Sequence, residues 1–160
     1  MPKSAIEGIE PKILWERFYE ISQVPRPSKK EEKIIEYFKN LLDQLKLEYK
    51  VDNSGNIVAF LPATKGYENA PTVVLQGHMD MVCEKNKEKV FDFDKDPIDL
   101  LQEDGWITAD GTTLGADNGI GLAAALAVVT DTKVIHGPIE ILCTVDEETG
   151  LTGANNLAPG

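Results

Sequence analysis

The chain has 160 residues, of which 42% are hydrophobic, and carries a formal net charge of -11 at pH 7. This is enough for one globular domain with a core, and the negative balance argues against nucleic acid or an anionic membrane as a partner. The first residues, MPKSAIEGIEPK, lack the apolar run of a signal peptide, and no later stretch approaches a membrane span, so the expected location is the cytoplasm. Cys83 and Cys143 lie among apolar residues and read as free thiols of a cytosolic protein, ahead of a disulfide or a metal site.

Residues 10–23 place Ile13, Leu14, Phe18 and Ile21 at helical spacing, and Pro25 and Pro27 then end that helix. A second helix is expected from Ser28, with Glu31 completing a capping box. Its apolar face is Ile34, Ile35, Phe38, Leu41, Leu42 and Leu45. A hairpin follows, EYKV and IVAFLPA around DNSGN, with Gly55 free to take positive φ.

TVVLQG (72–77) is almost wholly apolar and reads as a buried, parallel strand. The charged stretch 84–105 reads as an irregular surface excursion. WITA is a short strand, and ADGTTLGADNG is a glycine-rich loop. Residues 118–130 form a small-residue helix, apolar on nearly every side and hence buried. PIEILCTV (138–145) is another strand, and LTGANNLAPG begins a further helix. The strand–helix–strand order predicts an α/β fold with a mixed, largely parallel sheet flanked by helices. Ligands in such sheets gather at the carboxyl ends of strands.

Three glycine-rich stretches carry side chains suited to metals, and each can open on that edge. His78 and Asp80 follow the first strand. In extended backbone the i, i+2 spacing puts both on one face, so Asp80 can accept the second ring N–H of a metal-bound imidazole and fix its tautomer. The competing reading is a chance HxD. Asp117, in GADNG, is either a ligand or the N-cap of the following helix. Glu147 and Glu148 follow Asp146, and three adjacent carboxylates repel unless solvated or neutralised by a cation. A solvated loop is the alternative, but a tandem pair also allows one carboxylate on metal and its neighbour on the nucleophilic water. His136 lies in a turn and is given no role.

Taken together, QGHMDMVCEKN (76–86), DFDKDPI (92–98), ADGTTLGADNGIGLAAALAV (109–128) and TVDEETGLTGA (144–154) resemble the M20 family of metallopeptidases. Within it, the aminoacyl-histidine dipeptidase group is most similar. The resemblance implies hydrolysis of short peptides by two divalent cations, usually ~3.5–4 Å apart. Zinc is the first choice, with manganese or cobalt as replacements. It implies that His78 and Glu148 each ligate one metal, that Asp117 bridges both, that Glu147 is the general base and that Asp80 orients His78. It also implies a cis peptide after Asp117.

Members of the family are much longer. They add a further carboxylate, a histidine near the C-terminus, and a second domain that aids dimerisation and substrate capture. Residues 1–160 are therefore expected to be the N-terminal part of a catalytic domain, a homodimer at full length. By itself the chain is expected to be inactive, to bind metal weakly at one site at most, and to expose a sheet edge prone to self-association. Two other readings stay open: another amidohydrolase of this type (an N-acyl amino acid deacylase or a tripeptidase), or a non-catalytic metal-binding or assembly module.

Overall fold

The computed structural model describes residues 3–157. After a short 3-10 turn at Lys3–Ile6, helix α1 spans Lys12–Ser22 and α2 spans Glu32–Gln44. Strands β1 (Glu48–Val51) and β2 (Ile57–Leu61) form the expected hairpin, and β3 spans Val73–His78. Next come β4 (Leu100–Glu103), β5 (Trp106–Ala109), α3 (Ala116–Thr130), β6 (Ile139–Thr144) and α4 (Thr152–Asn155).

The main sheet has the order β1-β2-β6-β3. β3 pairs with β6 in parallel, whereas β1–β2 and β2–β6 are antiparallel. The α/β class with a mixed sheet holds, but the balance is antiparallel rather than largely parallel. The hairpin supplies β2 as the second neighbour of β6, so one crossover through α3 gives one parallel pair.

The excursion after residue 84 is also more ordered than its composition suggests. Its last part pairs as the β4–β5 hairpin, turned by Asp104 and Gly105, both at positive φ. An Asp-Gly turn of this kind matches the twist of the strands that it joins.

The helices pack on one face of the sheet. Phe18 and Ile21 of α1, Ile34, Phe38 and Leu42 of α2, and Leu122 and Leu126 of α3 share a core with Ile57, Ile141 and Cys143 of the strands. Each fully buried side chain of that size contributes about 1.5–3 kcal/mol. That outweighs the propensity differences within any one helix, so the apolar faces fix where the helices lie. Small residues make α3 slim, and it lies against both α1 and β3. On the opposite face, alternate residues Val58, Phe60, Glu140 and Leu142 border an open groove with Lys50 and Leu157.

Candidate metal centre

Because β3 and β6 are parallel and in register at His78↔Thr144, both strands end at the same edge. The Met79 N–H donates to Thr144 O at 2.7 Å, so the two exits stay together. His78 stands at one exit. Glu147 and Glu148 follow the other within four residues. Asp117 arrives from the first turn of α3, the element connecting the strands.

The predicted residues converge. Ligand atoms of His78, Asp117 and Glu148 all lie within 4.8 Å of one another. His78 Nε2 is 2.9 Å from Asp117 Oδ1 and 3.8 Å from Glu147 Oε2. On the other side of the ring, Nδ1 lies 3.2 Å from Asp80 Oδ1 and 3.1 Å from the Asp80 carbonyl. A proton on Nδ1 is thus directed at Asp80, and Nε2 faces the carboxylates.

Asp117 does not cap its helix. The N-cap position is Gly115, at φ 68°, and Asp117 and Asn118 have non-helical backbone angles. The Asp117–Asn118 peptide is cis. The Asp117 carboxylate is exposed.

Asp80 is fully buried and anchors the site. Besides facing His78, its carboxylate accepts the Glu147 N–H at 3.0 Å, the Glu148 N–H at 3.2 Å and the Ser28 Oγ–H at 2.7 Å. Burial alone would raise its pKa, but these bonds hold it well below the usual carboxylate range. Burial likewise pulls the His78 imidazole down, yet the hydrogen bonds to Asp80 and Asp117 outweigh this and push it up to about 9. Burial raises the Glu148 carboxyl, as do the charges of Asp117, Glu147 and Asp80, with His78 opposing.

The expected capping box at Ser28 and Glu31 is absent. Helix α2 begins at Glu32 without a side-chain cap. The Ser28 hydroxyl is spent on Asp80, and Glu31 Oε1 accepts the N–H groups of Lys29 and Asp146, both at 2.9 Å. Glu31, Asp80 and Asp146 also form a tight acidic group. Both oxygens of Asp80 and Oε1 of Glu31 already accept backbone and hydroxyl donors, so this group holds loops together. The chemistry of the donor set suits a metal at His78, Asp117 and Glu148 instead: one imidazole and two carboxylates.

Asn56, expected only as a turn residue, is a further support. It is buried, donates to Asp52 Oδ2 at 2.7 Å and Gly153 O at 2.9 Å, and accepts the Val145 N–H at 3.0 Å. It therefore clasps both ends of the loop bearing the tandem glutamates. Arg26 is buried beneath the site as well. Its bracketing prolines, in PRP, were the available signal of a rigid loop rather than a mere helix stop. Cys83 and Cys143 are free thiols, as expected, and His136 is half-buried in its turn.

A family model described as peptidase family M20/M25/M40 matches residues 74–160. The chain belongs to this family. Among M20 relatives, the cytosol non-specific dipeptidase of Escherichia coli is 47% identical over 96% of the chain and 32% of that protein. The structure of the aminoacylhistidine dipeptidase from Vibrio alginolyticus superposes with a TM-score of 0.94 at 46% identity, covering 97% of this chain and 32% of that one. A Staphylococcus aureus tripeptidase superposes with a TM-score of 0.76 at 30% identity, covering 93% of this chain and 40% of that one. The chain thus spans about a third of the length of the dipeptidases from Escherichia coli and Vibrio alginolyticus. Among the described residues, no helix is long and apolar enough to cross a membrane.

Proposed function

We propose that these residues are the N-terminal part of the catalytic domain of a cytoplasmic metallodipeptidase that hydrolyses short unblocked dipeptides, of the aminoacyl-histidine type. The convergence of His78, Asp117 and Glu148 within 4.8 Å carries this reading. The 47% identity to a named dipeptidase supports the substrate class. In the whole protein, His78 and Glu148 would each hold one divalent cation and Asp117 would be shared between both. Zinc suits this mixed donor set, with manganese or cobalt as replacements. When bound, the cations supply a Lewis acid for the scissile carbonyl and lower the pKa of a water.

The residues divide the remaining work. Asp80 keeps the Nδ1 proton of His78 in place, which leaves Nε2 for the metal and raises its basicity. Glu147, whose carboxylate lies 3.8 Å from His78 Nε2, is the general base. It takes a proton from the attacking water, the hydroxyl adds to the peptide carbonyl carbon, and the same proton passes to the leaving nitrogen as the C–N bond breaks. The products are a free carboxylate and a free amine. Asp80 holds the backbone of Glu147 and Glu148, so base and ligand keep their separate positions.

Three donor residues are few for two metals, since a catalytic zinc normally has three protein ligands. The chain alone is therefore proposed to be inactive, and the protein at the length of its relatives to act as a homodimer. The test is Glu147→Ala in that longer protein. Dipeptide hydrolysis should fall at least a hundredfold with metal content preserved. Loss of metal would reverse the roles of the two glutamates, and unchanged turnover would sink the mechanism. A parallel assay with tripeptides and N-acyl amino acids distinguishes the dipeptidase from its amidohydrolase alternatives.

A further inference from the structure

Arg26 is the largest fully buried side chain among the described residues. Its Nη1 donates to the carbonyls of Met79 at 3.1 Å and Asp80 at 3.0 Å, and its Nη2 donates to the carbonyl of Gly115 at 2.5 Å. Its own carbonyl accepts the Met81 N–H at 3.1 Å. All three acceptors are main-chain oxygens, and Nε has no partner. Burying a guanidinium against carbonyls is expensive, and desolvation lowers its pKa to about 10. Core filling alone would be served better by an apolar side chain.

What the arginine joins explains its presence. Met79 and Asp80 belong to the segment bearing His78, and Gly115 to the segment bearing Asp117. The planar fork spans both, which a single ammonium cannot do with the same geometry. Room for it comes from the GADNGIG loop: a Cβ at Gly119 would meet Nη2 at 2.8 Å and Phe18 Cε2 at 3.3 Å, and one at Gly115 would meet Nη2 and Met81 Sδ. These glycines therefore accommodate the guanidinium.

We propose that Arg26 is a positioning residue of the metal centre, which fixes the separation of His78 from Asp117 by gripping the carbonyls of Met79, Asp80 and Gly115. Its consequence for metal affinity rests on the metallopeptidase reading above, while its effect on geometry does not. Without it, the Met79 carbonyl loses its donor, the carbonyls of Asp80 and Gly115 keep only His78 Nδ1 and the Gly119 N–H, and the two ligand segments are free to part.

The experiment compares Arg26→Lys, Arg26→Met and Gly119→Ala with the parent, each in the protein at the length of its relatives. It reads the His78–Asp117 contact in metal-free structures, zinc affinity by titration of backbone amide NMR signals, and thermal unfolding. The expected result is cooperative unfolding, loss of the 2.9 Å contact, and a ten- to hundredfold drop in zinc affinity. Gly119→Ala retains every polar group and should act in the same direction, so it decides the matter if both arginine variants fail to fold. A retained contact, or zinc affinity within twofold of the parent in a folded variant, overturns the proposal. If zinc binds neither the parent nor His78→Ala, or binds both equally, the metal reading fails instead. The contact distance then judges Arg26 by itself.

Discussion

The Asp80 carboxylate that faces the His78 ring also accepts the backbone N–H of Glu147, at 3.0 Å. One buried side chain thus sets the orientation of the imidazole and the position of the proposed base. Replacing it with asparagine removes the charge and turns one acceptor into a donor facing N–H groups. Asp80→Asn should lower the unfolding free energy by about 1.5–3 kcal/mol, measured by denaturant titration. A change below about 0.5 kcal/mol would mean that these bonds contribute nothing net.

His78 gives the metal-free chain a pH dependence. Its folded pKa, about 9, lies above the ordinary 6.5, so protonation stabilises the fold. That contribution is complete below pH 6.5 and disappears as pH rises through about 9. Asp117 is exposed, and screening by water reduces the effect to about 1–2 kcal/mol. Burial also raises the Cys83 and Cys143 thiols, to about 11 and about 12, so they too lower stability above about pH 8.5. Urea unfolding from pH 6 to 9.5 in the parent and in His78→Gln separates the two. The variant should lose the slope between pH 6.5 and 8 but keep the alkaline fall.

Asn56 supports the glutamate loop from below. Asn56→Ala leaves the buried Val145 N–H without its acceptor and removes one of two donors to Gly153 O, and should cost about 1–3 kcal/mol. Amide hydrogen exchange should accelerate at Val145 while remaining protected in α2. Uniform acceleration across the chain would point to global destabilisation instead.

Gly77 faces the start of α3. A Cβ there would meet Asn118 Oδ1 at 2.7 Å and Leu122 Cδ2 at 2.9 Å. Gly77→Ala should therefore cost about 1–3 kcal/mol through overpacking and displace Asp117 from His78. Thermal melting with a structure of the variant checks both. An unshifted melting point would show that α3 can give way at no cost.

The convergence of His78, Asp117 and Glu148 was legible in the sequence because each member follows a recognisable strand or opens a recognisable helix. Parallel pairing of β3 with β6 then brings the members to one rim. The supports were less legible. Ser28 and Glu31 have the spacing of a capping box, but the partners that claim them, Asp80 and Asp146, are remote in the chain. Nothing local reveals that competition. Arg26 and Asn56 likewise act on carbonyls and amides, which every residue possesses and no residue type advertises. The β4–β5 hairpin was signalled by Asp104-Gly105, yet the surrounding charge masked it. The sheet's antiparallel balance depends on β2 lying beside β6, a choice of neighbour that no single strand encodes.

β3 lies at the outer edge of the sheet, with Val73 and Val74 each 52% exposed, and it terminates in His78. A strand added along that free margin would run directly past the imidazole and deliver its own side chains there. Closing the sheet on this side and adding donors beside His78 would therefore be, in geometric terms, a single assembly event.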